Sequence, residues 1–349
     1  MQFDVIIGNP PYQEEDGGGA VVVSAQPLYN EFYKWAISTN AKLIVMLMPA
    51  RWLCGGKQKL MKFRKVIVES KHITDMVVYL RNKGIFEDVD IAGGVLYILF
   101  NSKVKANGTN IVSKGDLGCN ALVRELTKYK YINNGIEEYI IPPDNMVISI
   151  VDKVLNNSNN MMLSDIVLSR SPFGLGSNFT GNGIETDGND IEVMCSNKRV
   201  TWTNRDNIVC NRGLVDKYNV IIGKMSSGYP GIRASIGYAN TIISKPRILN
   251  RKQVCTETYL VLDSFDSIED AKLFSKYINT KLVRYLIYAT LTGANMTKKN
   301  FMFVPFISIP ELRSINDDMD TYLINKYGLT DIEVRIMDST VDNFKRQED

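Results

Sequence analysis

Residues 3–13 read FDVIIGNPPYQ, an apolar run that stops at glycine and is followed at once by asparagine, two prolines and tyrosine. The run 3–8 has the near-continuous hydrophobicity of a strand buried on both faces, which parallel sheets require. Chance would place Asn-Pro-Pro-Tyr in roughly one chain in a thousand of this length, so its position directly behind a strand is informative. Outward from it, strand-like runs alternate with helical spacing. Residues 28–39 put Leu28, Phe32, Trp35 and Ala36 on one helix face, and 42–48 (KLIVMLM) read as the next strand. Residues 57–70 carry Leu60, Phe63, Ile67 and Val68 opposite a face of Lys and Arg. Two more strands are expected at 73–80 and 94–100. This alternation is that of a doubly wound α/β sheet.

The four-residue motif suits one chemistry well. The exocyclic amino nitrogen of adenine is a poor nucleophile because its lone pair is delocalised into the ring. Two acceptors, the Asn9 side-chain oxygen and the Pro10 carbonyl, can each take one amino hydrogen and favour a pyramidal nitrogen aimed at a methyl donor. Pro10 and Pro11 fix φ and stiffen the loop at the carboxyl edge of the sheet, where open α/β folds bind ligands. Tyr12 offers a flat face on which an extruded base can stack. No general base or metal is needed.

Composition agrees with an ordinary globular protein: 349 residues, 45% hydrophobic, formal net charge +3. Residues 311–349 carry ten acidic against five basic residues, which leaves about +8 on the first 310, compatible with a phosphate-facing surface. Cys54, Cys119, Cys195, Cys210 and Cys255 are scattered, with no CxxC pair, and read as reduced structural thiols of a cytoplasmic protein. The single histidine, His72, opens a strand and reads as structural, which removes imidazole-based nucleophile mechanisms. No apolar run is long enough to cross a bilayer.

Beyond residue 101 the texture turns to Asn, Gly and Ser. A linker-like stretch around Asn133, Asn134, Pro142 and Pro143 precedes a helix at 146–155, and 156–160 form a second polar break. Residues 161–310 read as short strands with turns at Gly174, Gly176, Gly181, Gly183 and Gly188, plus one helix at 268–287; the last forty residues are helical. The expected divisions are therefore 1–125, 126–160, 161–310 and 311–349.

The stretch FDVIIGNPPYQ resembles motif IV of the gamma-type, TaqI-like adenine-N6 DNA methyltransferases of bacterial type II restriction-modification systems. LMPARWLCGG is similar to the strand and loop after their motif V. IFEDVDIAGGVLYILF is similar to motif VIII, where the family sets a second aromatic against the flipped base; Phe86 matches it. In the second half SRSPFGLGSNF, KPRILNRKQVCTETYLVL and LFSKYINTKLVRYLIYATLTGANMTKKNFMFVP resemble target-recognition regions of fused restriction-methylation enzymes. The resemblance implies a partial doubly wound methyltransferase sheet, strands 4 to 7 of the family's spatial order 3-2-1-4-5-7-6, followed by a mixed α/β DNA target-recognition domain. It also implies double-stranded DNA with a flipped adenine as substrate and S-adenosylmethionine as cofactor.

The family's glycine-rich cofactor loop belongs upstream of the Asn-Pro-Pro-Tyr motif. Gly17 to Gly19, Gly55-Gly56 and Gly93-Gly94 are not expected to replace it, because none follows a strand and opens a helix. An upstream methyltransferase half or an endonuclease subunit is the implied partner, and the strand 3–8 is expected to stand at an open edge. The chief rival reading is a non-catalytic DNA-binding specificity module, or a fragment of a fused enzyme. Candidate DNA contacts are Arg170, Arg199, Lys224, Arg233, Lys245, Arg247, Arg251 and Lys298, with Phe173, Trp202 and Tyr229 near them. A nuclease is disfavoured: Pro143-Asp144 lies in the linker, and Asp270 and Lys272 fall on the expected helix.

Overall fold

The computed structural model describes residues 3–14, 26–56, 58–81, 85–86, 91–159, 161–230 and 241–341. Two compact units emerge. The first comprises Met1–Ile148 with Tyr229–Ser235 and Ala289–Gly293; the second comprises Ser149–Gly228, Ile236–Tyr288 and Ala294–Asp349.

The first unit is built on a six-stranded sheet. β1 (Val5–Gly8) runs parallel to β2 (Leu43–Pro49), and α1 (Tyr29–Ser38) connects them. After a 3-10 turn at Ala50–Leu53 come α2 (Gln58–Ser70), β3 (Ile73–Tyr79) and β4 (Val95–Asn101). β4 inserts antiparallel between β2 and β3, giving the order β1-β2-β4-β3. This is the order that the resemblance implies for strands 4 to 7.

One face of this sheet is closed. Ile44, Met46, Met48, Met76, Val78, Leu96 and Ile98 are buried, and α1 and α2 meet through Phe63, which Tyr29, Tyr33 and Trp52 contact edge to face. Stacking of that type adds about 0.5–1.5 kcal/mol per pair to the burial itself. β1 lies at an edge, with Val5 49% and Ile7 78% exposed.

The sheet does not end at four strands. β5 (Thr109–Gly115) pairs parallel with β3, β6 (Gly118–Arg124) pairs antiparallel with β5, and β7 (Tyr129–Asn133) and β8 (Ile136–Ile140) form a hairpin. The stretch expected to be linker is therefore partly strand. Asn134 (φ 49°) and Gly135 (φ 74°) form its two-residue turn, the primed conformation that hairpins favour and that Asn-Gly adopts cheaply. Buried Asn145 ties the loop behind β8 to the sheet: its side chain donates to Ile111 O (2.7 Å) and Asn120 O (2.9 Å), and its N–H donates to Ser113 Oγ (3.0 Å).

α3 (Ile148–Asn156) leads to the second unit. There α4 (Leu163–Ile166) precedes β9 (Ile191–Met194), β10 (Val200–Thr203), β11 (Tyr218–Gly223), β12 (Arg247–Leu249), β13 (Gln253–Cys255) and β14 (Tyr259–Phe265), in two three-stranded sheets ordered β10-β9-β13 and β12-β11-β14. Phe173, Val193, Ile221, Val254 and Val261 share one core. The single helix expected at 268–287 is two, α5 (Ile268–Ile278) and α6 (Lys281–Tyr288). Asn279 caps the first, and Thr280 Oγ1 accepts from Val283 N at 3.4 Å, so the Asn-Thr pair ends one helix and starts the next. α7 (Ile309–Arg313), α8 (Met319–Lys326) and α9 (Asp331–Thr340) complete the unit. Among the described residues no helix is long and apolar enough to cross a membrane.

Candidate functional site

Because β1 and β2 are parallel, with Gly8 opposite Met46, the residues behind both strands emerge at the same edge of the sheet. Val95 opens the antiparallel β4 opposite Pro49 and Tyr79, so Gly93 and Gly94 reach that edge too. Asn9 follows β1 immediately. Its side chain is exposed and has no hydrogen-bond partner among the described residues. Pro10 is buried and Pro11 exposed. The end of the loop is fastened to the start of α1: Leu28 N donates to Tyr12 O (3.2 Å) and Glu14 N to Gln26 O (3.0 Å). The motif is thus a short arch with a rigid centre and anchored ends.

Tyr12 is half-buried and meets Phe86 edge to face, with ring centroids 6.4 Å apart and planes at 89°. Its hydroxyl is buried without a partner, and burial, reinforced by nearby Tyr97, pushes its pKa up to about 12. Tyr12 is therefore a neutral aromatic surface, unsuited to acid-base work near neutrality.

Glycine contacts shape the rest of the edge. A Cβ on Gly93 would stand 2.8 Å from Thr292 O and 3.3 Å from Arg51 N, and one on Gly55 would stand 2.6 Å from Thr292 Oγ1. Gly93 and Gly94 have positive φ, 89° and 79°, and a Cβ on Gly94 would strike Tyr79 O. Gly55 and Gly56 stand before α2 but follow the Ala50–Leu53 turn and not a strand, and a Cβ on Gly56 would meet Leu60 at 2.5 Å. At each of these four glycines an added Cβ would meet the protein's own packing. Gly17 to Gly19 lie outside the described residues.

The turn between β2 and α2 is braced from below. Arg64, 1% exposed, donates through Nη1 to Trp52 O and to Gly55 O (3.1 Å), and through Nη2 to Glu138 Oε2 at 2.8 Å. Burial pulls the Arg64 pKa down, opposed by Cys54 and Glu138. Nothing in the spacing of Arg64 and Glu138, 74 residues apart, announces this pair.

The candidate DNA contacts fare unequally. Arg170 is exposed but bound to Glu257 (2.5 Å), and that pairing holds the Glu257 carboxyl down at about 2. Arg199 donates to the carbonyls of Phe179 and Thr180, Arg251 donates to Asp266 O, and Arg247 lies 3.7 Å from the Met194 sulfur. Lys245 is exposed and makes an interaction of its own. Lys224 and Lys298 are half-buried and have no side-chain partner among the described residues. Arg233 lies outside the described residues. Trp202 and Tyr229 are half-buried, but Phe173 is fully buried in the core and is not available to a base.

His72 is structural: Nδ1, as an N–H donor, faces Asn101 O (3.1 Å) and Val104 O (2.7 Å). Asp144 caps a turn by accepting from Met146 N at 2.9 Å, and Asp270 on α5 is paired with Arg313. Cys54, Cys195 and Cys255 are buried and Cys119 and Cys210 exposed, and none of them forms a disulfide. Among the described residues no group of His, Cys, Asp and Glu is placed to hold a metal.

The Asn-Pro-Pro-Tyr arch thus stands at the carboxyl edge of a mixed sheet, with the Tyr12–Phe86 pair beside it. Residues 1–86 match the sequence model of the Eco57I restriction-modification methylase family. Over 102 residues the chain is 31% identical to an uncharacterized adenine-specific methylase of Mycoplasma pneumoniae, covering 29% of this chain and 24% of that protein. The chain thus spans about a quarter of the length of that relative. Among solved structures it is similar to the type IIG restriction endonuclease BpuSI (11% identity, 94% of this chain and 49% of that one, TM-score 0.34). It is also similar to the type IIL restriction-modification enzyme MmeI in complex with DNA (10% identity, 96% and 56%, TM-score 0.38).

Proposed function

We propose that this chain works within an S-adenosylmethionine-dependent DNA adenine-N6 methyltransferase of a restriction-modification system, as the part that holds the target adenine and selects the DNA sequence. The observation that carries this reading is the exposed Asn9 carboxamide, one residue beyond β1 and without a hydrogen-bond partner among the described residues, in the same loop as Tyr12 of the Tyr12–Phe86 pair. The four strands β1 to β4 act as strands 4 to 7 of the methyltransferase sheet, and residues 161–310 as the recognition region. Asn9 Oδ1 and the Pro10 carbonyl each accept one hydrogen of the adenine amino group, which turns its lone pair out of the ring plane. Tyr12 and Phe86 hold the extruded base by stacking. The cofactor's main contacts are assigned to an upstream methyltransferase half, the chain's implied partner alongside duplex DNA and an endonuclease subunit.

The test is to express the complete gene in a host free of adenine methylation and digest the DNA to nucleosides. N6-methyladenosine is the expected product; its absence, or another methylated base in its place, refutes the reading.

A further inference from the structure

Arg51 is an exposed cation at the carboxyl edge, and its neighbours hold its backbone closely. Arg51 lies in the Ala50–Leu53 turn directly behind β2, the strand that pairs with β1. Its backbone is fixed on every side. Ala50 N donates to Gly94 O (2.9 Å), while Arg51 O accepts from Gly55 N (2.9 Å) and Thr292 Oγ1 (3.2 Å). Gly93, whose own N–H donates to Pro230 O at 2.7 Å, comes so close that a Cβ there would touch Arg51 N and Cα at 3.3 Å. Below, buried Arg64 holds the carbonyls of Trp52 and Gly55 and is itself neutralised by Glu138. Two glycines, a threonine and a buried ion pair thus converge on one residue.

Arg51 is exposed and has neither carboxylate nor carbonyl partner among the described residues. Its Nε lies 3.9 Å from where a Cβ of Gly293 would sit, so the guanidinium runs over the Thr292-Gly293 backbone. Its charge is also felt at Tyr29, where burial raises the phenol pKa and Arg51 opposes it. Arg170, Arg199 and Arg251, by contrast, are all engaged by the protein.

We propose that Arg51 grips a DNA backbone phosphate next to the extruded adenine. A base rotated out of the stack must be held by its flanking phosphates, and a planar guanidinium binds a phosphate through two parallel N–H donors. A rigid backbone with an unpaired fork one strand from Asn9 suits that task. The assignment rests on the DNA-methylation reading above and adds a residue to it.

The test is binding of the full chain to a fluorescently labelled mixed-sequence duplex over a salt series. Arg51→Ala is expected to weaken binding roughly tenfold and to make the slope of log affinity against log salt shallower by about 0.9, one phosphate contact. Arg51→Lys should retain the slope and part of the affinity. Lys103→Ala, an exposed cation behind β4 at the opposite edge, should leave the slope unchanged. An Arg51→Ala slope equal to wild type overturns the assignment while leaving the DNA reading intact, and an equal loss at Lys103 reduces it to net charge. A wild-type chain with no salt-dependent binding overturns both.

Discussion

Tyr12 and Phe86 meet edge to face at 6.4 Å, although 74 residues separate them, with Tyr12 at the end of the Asn-Pro-Pro-Tyr arch and Phe86 behind β3. The Tyr12 hydroxyl has no partner in that position. Tyr12→Phe should therefore leave methylation by the complete enzyme within a factor of two or so, because no hydrogen bond is lost. Tyr12→Ala should cost about 1–3 kcal/mol of target binding, the contribution of one stacked base. Steady-state methylation of a target duplex checks both. A strong loss in Tyr12→Phe would show that the hydroxyl, and not the ring, is the working group.

The chain alone should not hold S-adenosylmethionine in the micromolar range. A Cβ on Gly55, Gly56, Gly93 or Gly94 would meet Thr292, Leu60, Arg51 or Tyr79, so these glycines serve the chain's own packing. Holding the donor in line with the amino group is what makes the reaction fast, and that requires contacts beyond the adenine end. Isothermal titration of S-adenosylmethionine into the purified chain should give no heat of binding at micromolar concentrations; saturable binding there would mean that these residues do form a cofactor site.

The Arg64–Glu138 pair predicts an asymmetric response. Glu138→Ala leaves a buried guanidinium without its counter-ion and should cost roughly 3–5 kcal/mol, read as a lowered denaturation midpoint. Glu138→Ala with Arg64→Met removes both charges and should recover part of that loss. A double variant no more stable than the single one would show that the carbonyl contacts of Arg64, and not the ion pair, stabilise the turn.

In the second unit, Glu333 near the start of α9 accepts from Ser149 Oγ (2.8 Å), Lys153 Nζ (2.6 Å) and Thr330 N (2.7 Å). Burial raises its pKa, but these donors outweigh burial and bring it to about 2 from an ordinary 4.5. A carboxyl depressed in the folded state contributes stability that is complete above its unfolded pKa and is lost as pH falls through the folded value. Glu333→Gln should therefore lower the melting temperature at pH 7 by an amount equivalent to roughly 2 kcal/mol, and the difference from wild type should shrink between about pH 4.5 and 2. A pH-independent difference would place its origin in packing.

Much of the first unit is legible in the sequence. The apolar runs at 3–8, 42–48, 73–80 and 94–100 and the helices between them fall close to β1–β4, α1 and α2 because buried strands and amphipathic helices leave strong periodic signals. The failures have physical causes. Asn133-Asn134-Gly135 is polar enough to pass for a linker, but an Asn-Gly pair with positive φ is also a hairpin turn. Asn279-Thr280 is too short a break to interrupt helical periodicity, yet it caps two helices. Phe173 sits three residues from Arg170 in sequence and in a core in space. Arg51 and Thr292 lie 241 residues apart, and only the close approach permitted by Gly55 and Gly93 joins them. The LMPARWLCGG stretch held that signal in its paired glycines.

The central claim, that Asn9 presents adenine for methylation, is tested most directly by replacing it in the host's own gene and mapping N6-methyladenine across the genome. Asn9→Ala removes one acceptor of the amino group while leaving the arch, fastened through Tyr12 O and the two prolines, in place. The expected result is that methylation at the enzyme's sequence motif disappears, while the purified variant binds DNA with wild-type affinity and salt dependence. A genome still fully methylated at that motif in the Asn9→Ala strain would contradict the account.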